Sequence, residues 1–189
     1  PIPGHPTEEV KRMYFGEVTD PNIRHIFRDA GDFIVRPLKC GKFTLYAYAI
    51  DGLTSGADTS EYVIKPITDN LQGDTIQALY TSALRGRVYN SVADPCRDLD
   101  TVALKLVNGF CVILFPEAGA IAFEVKTGEK RGISAPEVEN TVKGAKDAFV
   151  ETVRTNTSLL RRHLRSPELR LYETRVGRRS LTNVTVCYV

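Results

Sequence analysis

The chain has 189 residues, 42% of them hydrophobic, enough for one well-filled core or two small ones. Its net charge of +2 argues against a nucleic-acid partner, and its longest apolar run, Phe110-Cys-Val-Ile-Leu-Phe115, falls far short of the ~18 residues that a membrane-spanning helix needs. The charge is unevenly spread: residues 129–189 hold 12 Lys/Arg against 7 Asp/Glu, a basic surface for solvent, an acidic partner or a lipid face.

In chain order, Thr7 is placed to cap a short helix over Glu8–Phe15, and Ile23, Ile26 and Phe27 suggest a second before Gly31. Phe33–Leu38 and Phe43–Ile50 read as strands joined at Cys40-Gly41-Lys42, a hairpin that ends at Asp51-Gly52. Asp58, Thr59 or Ser60 caps a helix that should break or kink at Pro66. Asp74 caps another, with Ile76, Leu79, Tyr80 and Ala83 at helical spacing. Arg87–Val92 reads as a short strand. Asp94-Pro95 has the form of a helix start, and Leu99, Val102, Ala103, Leu106 and Val107 make one apolar stripe. Phe110–Phe115 lacks polar alternation, as a strand buried on both faces does. Ala120–Lys126 alternates, with Ile121, Phe123 and Val125 on one side, and completes a hairpin across Pro116–Gly119.

The polar join Thr127–Gly132 is the expected subdomain boundary, dividing the chain into 1–133 and 134–189. A long helix follows, from near Thr141, and within it Phe149, Val153, Leu160 and Leu164 fall on one apolar stripe. Arg154, Arg161 and Arg165 line up beside that stripe and Asn156 lies within it. A buried amide needs partners for its donors and acceptor, so Asn156 is expected to bond a neighbouring element. Ser166-Pro167 ends the helix. Leu169–Val176 and Thr182–Val189 are strands around a Gly177–Ser180 turn. The last strand shows apolar residues on both faces, and the chain begins at Pro1 without Met; a longer natural protein is expected. The fold class is α+β: a mixed sheet covered by helices, with Phe110–Phe115 central, and a second, smaller α+β subdomain expected to be incomplete.

No local pattern supports catalysis. The sequence has no GxxxxGK[ST], GxGxxG or GxSxG, and His5, His25 and His163 have no pairing for a metal or a triad. Cys40, Cys96, Cys111 and Cys187 have no CxxC spacing and read as free thiols. Neither a cofactor nor a metal is expected. By pattern alone, the 149–164 stretch is an amphipathic helix with solvated arginines.

The segment Phe149-Val-Glu-Thr-Val-Arg-Thr-Asn-Thr-Ser-Leu-Leu-Arg-Arg162 resembles the most recognisable stretch of the A subunits of GerA-type spore germination receptors. Other segments are similar to that family in the same order. Asp32-Phe-Ile-Val-Arg36 looks like its early Asp–x–x–x–Arg strand, Tyr46–Leu53 like its strand ending in Asp-Gly-Leu, Gly109–Glu124 like its apolar hairpin, and Leu169–Tyr188 like its strand–turn–strand. The chain departs from the family at Gly144-Ala145-Lys146, where Gly-Pro-Arg is usual.

The resemblance implies a non-enzymatic domain of a receptor in the inner spore membrane, facing the spore core. It also implies self-association of A-type subunits and assembly with B and C subunits, in nutrient-triggered germination. Arg154, Asn156, Arg161 and Arg162 are then the residues to examine for assembly. It does not show whether this domain binds a germinant. The alternative is a free-standing ligand-binding or regulatory α+β domain.

Overall fold

The computed structural model describes residues 12–88, 93–125 and 149–189. Two successive runs of alternating residues make a tight hairpin, β1 (Phe33–Cys40) and β2 (Phe43–Ile50), in unbroken antiparallel register from Phe33↔Ile50 to Cys40↔Phe43. Gly41 takes the turn at φ +57, where a side chain would be strained. The sheet continues through β4 (Phe110–Phe115) and β5 (Gly119–Glu124) to the short edge strand β3 (Ala93–Cys96), in the order β1-β2-β4-β5-β3. Every described pairing is antiparallel. β4 is central and all six of its residues are buried, as its unbroken apolar run requires.

Helices cover both faces. On one, Ile23 and Phe27 of α1 (Asp20–Ile26, with its last turn) and Leu99, Val102 and Leu106 of α5 (Leu99–Val107) pack on Tyr48, Val112, Leu114 and Ala122. On the other, Val63, Ile67 and Leu79 pack on Leu45, Ile113, Phe115, Ile121 and Phe123. These last helical residues come from α2 (Gly56–Thr59), a π turn (Ser60–Ile64), α3 (Lys65–Asn70) and α4 (Ile76–Ser82).

Several helix starts differ from expectation. Ser55, not Asp58, Thr59 or Ser60, caps α2 by accepting from Asp58 N at 3.2 Å. Thr75, not Asp74, caps α4. Asp98 caps α5 through Thr101 N at 2.7 Å, while Asp94-Pro95 lie in edge strand β3 and Asp94 pairs with Lys105. An edge strand tolerates proline because it makes no demand for that N–H. At Pro66, the expected site of a break or kink, the backbone stays helical into α3. The π turn just before it resets the hydrogen-bond frame, with Lys65 N–H reaching Ser60 O, and so accommodates a residue with no N–H.

The strand expected at Arg87–Val92 is not formed at its described start: Arg87 ends the turn after α4, Val88 is a bend, and residues 89–92 lie outside the described residues. The helix expected over Glu8–Phe15 falls mostly outside them too, and residues 12–15 are not helical. The join Thr127–Gly132 and the helix start near Thr141 also lie outside the described residues.

After this sheet come α6 (Val153–His163) and a two-stranded hairpin, β6 (Arg170–Val176) and β7 (Thr182–Tyr188), turned at Gly177 with φ +87. Its base is anchored on the first unit. Leu169 and Leu171 are buried, Gly31 N donates to Leu171 O at 2.9 Å, and Arg170 Nη2 donates to Ile26 O at 3.3 Å. Gly31 is required by this approach, since a Cβ there would stand 2.6 Å from Leu171 O.

Candidate functional site: a helix seated on two strand ends

The hairpin register puts both ends of β1–β2 side by side. Asp32 stands just before β1, Asp51 just after β2, and Asp51 N donates to Asp32 O at 2.8 Å. Two carboxylates therefore project from one end of the sheet. Helix α6 lies over that end. Arg154 and Arg161 are seven residues apart, nearly two turns and about 10.5 Å along the axis, and each meets one carboxylate.

Arg161 is the most enclosed contact. Its side chain is 0% exposed and that of Asp32 is 7% exposed. Nε donates to Asp32 Oδ2 and Nη2 to Asp32 Oδ1, both at 2.7 Å, and Nη1 donates to Ser166 O at 3.0 Å. This is the bidentate fork that a planar guanidinium makes with a carboxylate. Arg154 pairs with Asp51 through Nη2, but its side chain is 70% exposed.

Between the two pairs the backbones come close. Gly52 has φ +80, and a Cβ there would lie 2.6 Å from Ser158 Cβ. The short polar residues facing inward are satisfied within the helix: Thr157 Oγ1 donates to Arg154 O at 3.0 Å and Ser158 Oγ to Thr155 O at 2.8 Å.

The sequence-predicted residues divide accordingly. Asn156 closes the entry to the helix, accepting from Val150 N at 2.8 Å and donating to Val150 O at 2.6 Å. Its partners are backbone groups, but of the segment leading into α6 rather than of a separate element. Arg162 is half-buried, and its carbonyl accepts from Arg165 Nε at 3.2 Å.

The expected face is wrong. Helix α6 begins at Val153, Phe149 is 65% exposed and Leu164 is 44% exposed, so the stripe of Phe149, Val153, Leu160 and Leu164 is not the buried one. Thr157, Ser158, Leu159 and Arg161 are buried instead. Arg161 is not solvated, because its carboxylate partner lies 129 residues earlier, beyond any local pattern. Asp32, Asp51, Gly52 and Ser158 belong to the same seat. The first three stand in the two strand motifs of the family likeness, but nothing local in the sequence joins them to α6.

Beside the seat, a cleft of about 670 Å³ opens between the first turn of α6 and the β6–β7 hairpin, with Asp51, Glu151, Arg154, Glu173 and Arg175 on its walls. Among the described residues, no three His, Cys, Asp or Glu side chains gather as metal ligands. No described helix is long and apolar enough to cross a membrane.

The family model for the Bacillus/Clostridium GerA spore germination protein matches residues 21–189. Stage V sporulation protein AF of Bacillus subtilis (strain 168) is 34% identical over 107 residues, covering 56% of this chain and 22% of that protein. Spore germination protein B1 of the same organism is 29% identical over 146 residues, covering 74% of this chain and 29% of that protein. The chain thus spans roughly a quarter of the length of these curated relatives. A crystal structure of the N-terminal domain of the A subunit of the Bacillus megaterium spore germinant receptor GerK3 shares the fold. Its TM-score is 0.64 at 17% identity, over 88% of this chain and 61% of that one.

Proposed function

This chain belongs to the GerA family of spore germination proteins, and on that premise we propose that it is a non-enzymatic part of the N-terminal region of a germination-receptor A subunit. The full-length protein sits in the inner spore membrane with this region on the spore-core side. It takes part in nutrient-triggered germination through contacts with further A subunits and with B and C subunits. Residues 1–133 form the first subdomain and 134–189 the start of a second. The observation that carries this reading is the fully buried Arg161–Asp32 pair. It joins two segments of family likeness into one rigid seat, so α6 transmits position between the first subdomain and whatever the hairpin touches.

Within this role the four singled-out residues differ. Arg161 and Asn156 hold the seat. Arg154, largely exposed, and Arg162, half-buried, offer cations to an acidic surface of a neighbouring subunit. The test uses the full-length gene in its spore-forming host, with Arg154→Ala and Arg162→Ala introduced together. We expect normal protein level in the spore membrane by immunoblot and a slowed response to nutrient. Wild-type germination rates at wild-type receptor level would overturn the assembly role and leave these arginines as a solvated helix face.

A further inference from the structure

We propose that the helix-covered side of β1 and β2 holds a binding pocket for a small monocarboxylate, with Arg36 as its anion-binding residue. In the β1–β2 register Arg36 stands opposite Ala47 and Ile34 opposite Ala49. Opposed residues share a face, so Arg36 and Ile34 rise on the side that α2, α3 and the π turn cover. Ala47, Ala49 and Cys111 are too short to fill the space beneath those helices. The result is a recess of about 120 Å³ lined by Arg36, Ala47, Ala49, Cys111, Ser60 and Arg154, among others.

The floor is built of short side chains, Ala47, Ala49 and Cys111, all buried among their neighbours. At the rim, Arg154 is already paired with Asp51. Among the described residues Arg36 makes no ion pair with a carboxylate, so within them the lining has one positive charge more than Asp51 offsets. The wall contributed by Ser60 and Ile64 belongs to a π turn, a local irregularity found disproportionately at functional sites.

An arginine on an edge strand is ordinarily a solvated guard against strand pairing. Here it stands over a recess rather than on the open face, beside a floor of short side chains. A guanidinium fork matches a carboxylate, and the apolar floor takes a short carbon body. The recess corresponds to the liquid share of about four waters at about 30 Å³ each, which suits an acid with a short alkyl or hydroxyalkyl chain. The pocket is built by the first unit and Arg154, so it does not depend on any role in a receptor complex.

The test uses the 189-residue chain, nitrogen-15 labelled and titrated with butyrate, with butanamide as the uncharged probe of the same shape. Saturable amide shifts at Ala47, Ala49 and Ser60 are expected with butyrate, and binding weaker by about tenfold or more with butanamide. Arg36→Gln should lower butyrate affinity by about tenfold to a hundredfold without changing the melting temperature, because Arg36 is exposed. Arg36→Lys should recover part of the loss. Equal binding of butyrate and butanamide, unchanged affinity in Arg36→Gln, or shifts that never saturate would each overturn the proposal.

Discussion

Replacing Arg161 with methionine tests the seat directly. The change keeps most of the side-chain length and removes the charge and all three hydrogen bonds that Arg161 donates to Asp32 and Ser166. Asp32, only 8% exposed, is left as a carboxylate with its principal partner gone. Breaking a buried pair in this way costs about 3–5 kcal/mol. For a chain of this size each kcal/mol lowers the melting temperature by about 2–4 °C, so the expected fall is about 6–20 °C.

The double replacement Asp32→Leu with Arg161→Met should recover most of that loss, because apolar residues of similar volume often replace a buried pair at little cost. Arg154→Met provides the contrast, since its pair with Asp51 is solvated and exposed pairs contribute under about 1 kcal/mol. Thermal melts followed by circular dichroism, with urea titrations to obtain the coupling energy of the cycle, measure all four proteins. An Arg161→Met protein melting within about 2 °C of wild type would refute the idea that this pair holds α6 in place.

Three further outcomes follow from single residues. Gly52→Ala should destabilise more than Gly41→Ala: both glycines have positive φ, but only Gly52 meets a neighbour, Ser158 Cβ at 2.6 Å. Left-handed backbone alone costs about 1–2 kcal/mol, and equal urea midpoints for the two variants would remove the close approach from the account. Hydrogen bonds from the side chain and the backbone N–H of Thr101 hold the Asp98 carboxyl below the usual carboxylate range. Its contribution is therefore present above the unfolded value of about 3.9 and is lost as the pH falls through the lower folded value. Asp98→Asn caps equally well, so it should show a shallower loss of urea midpoint between pH 7 and the acid range; a curve parallel to wild type counts against it. Burial pushes the Cys96 and Cys111 thiols up to about 12 and raises those of Cys40 and Cys187, but of the four only Cys187 is exposed. A thiol reagent on the native protein should thus add one adduct, at Cys187, and a second fast adduct by mass spectrometry would contradict the buried positions of the other three.

What the sequence disclosed was whatever is decided within a few residues. The strand β2, the alternating run of β5, the unbroken apolar run of β4 and the stripe of α5 all appear where the sequence places them, because burial on one or both faces leaves a local pattern. Helix starts were less legible. Asp58, Asp74 and Asp94 each carry a capping carboxylate, yet Ser55, Thr75 and Asp98 do the capping. Clusters of capping residues offer several equivalent starts, and the surrounding fold chooses among them; Asp94 was taken by strand β3 and by Lys105. The inward face of α6 was the least legible. Its apolar residues make the obvious stripe, but the carboxylate that draws Arg161 inward lies 129 residues away, and the one that Arg154 meets at the exposed rim lies 103 away.

That inversion gives α6 a different kind of contact from the helices of the core. An apolar stripe tolerates sliding, since one leucine can take the place of another. A fully buried guanidinium cannot slide. Moving α6 by one turn, about 5.4 Å, would carry Arg161 off Asp32 and leave two charges buried without partners, the situation that costs most in a protein interior. The same shift would bring a bulkier residue than Ser158 against Gly52, where even an added Cβ stands 2.6 Å from its neighbour. Against apolar residues of the same volume the pair contributes little net stability. It acts instead through the penalty on every other register, so the helix has one seat. Phe149 and Leu164, at 65% and 44% exposure, lie outside that seat.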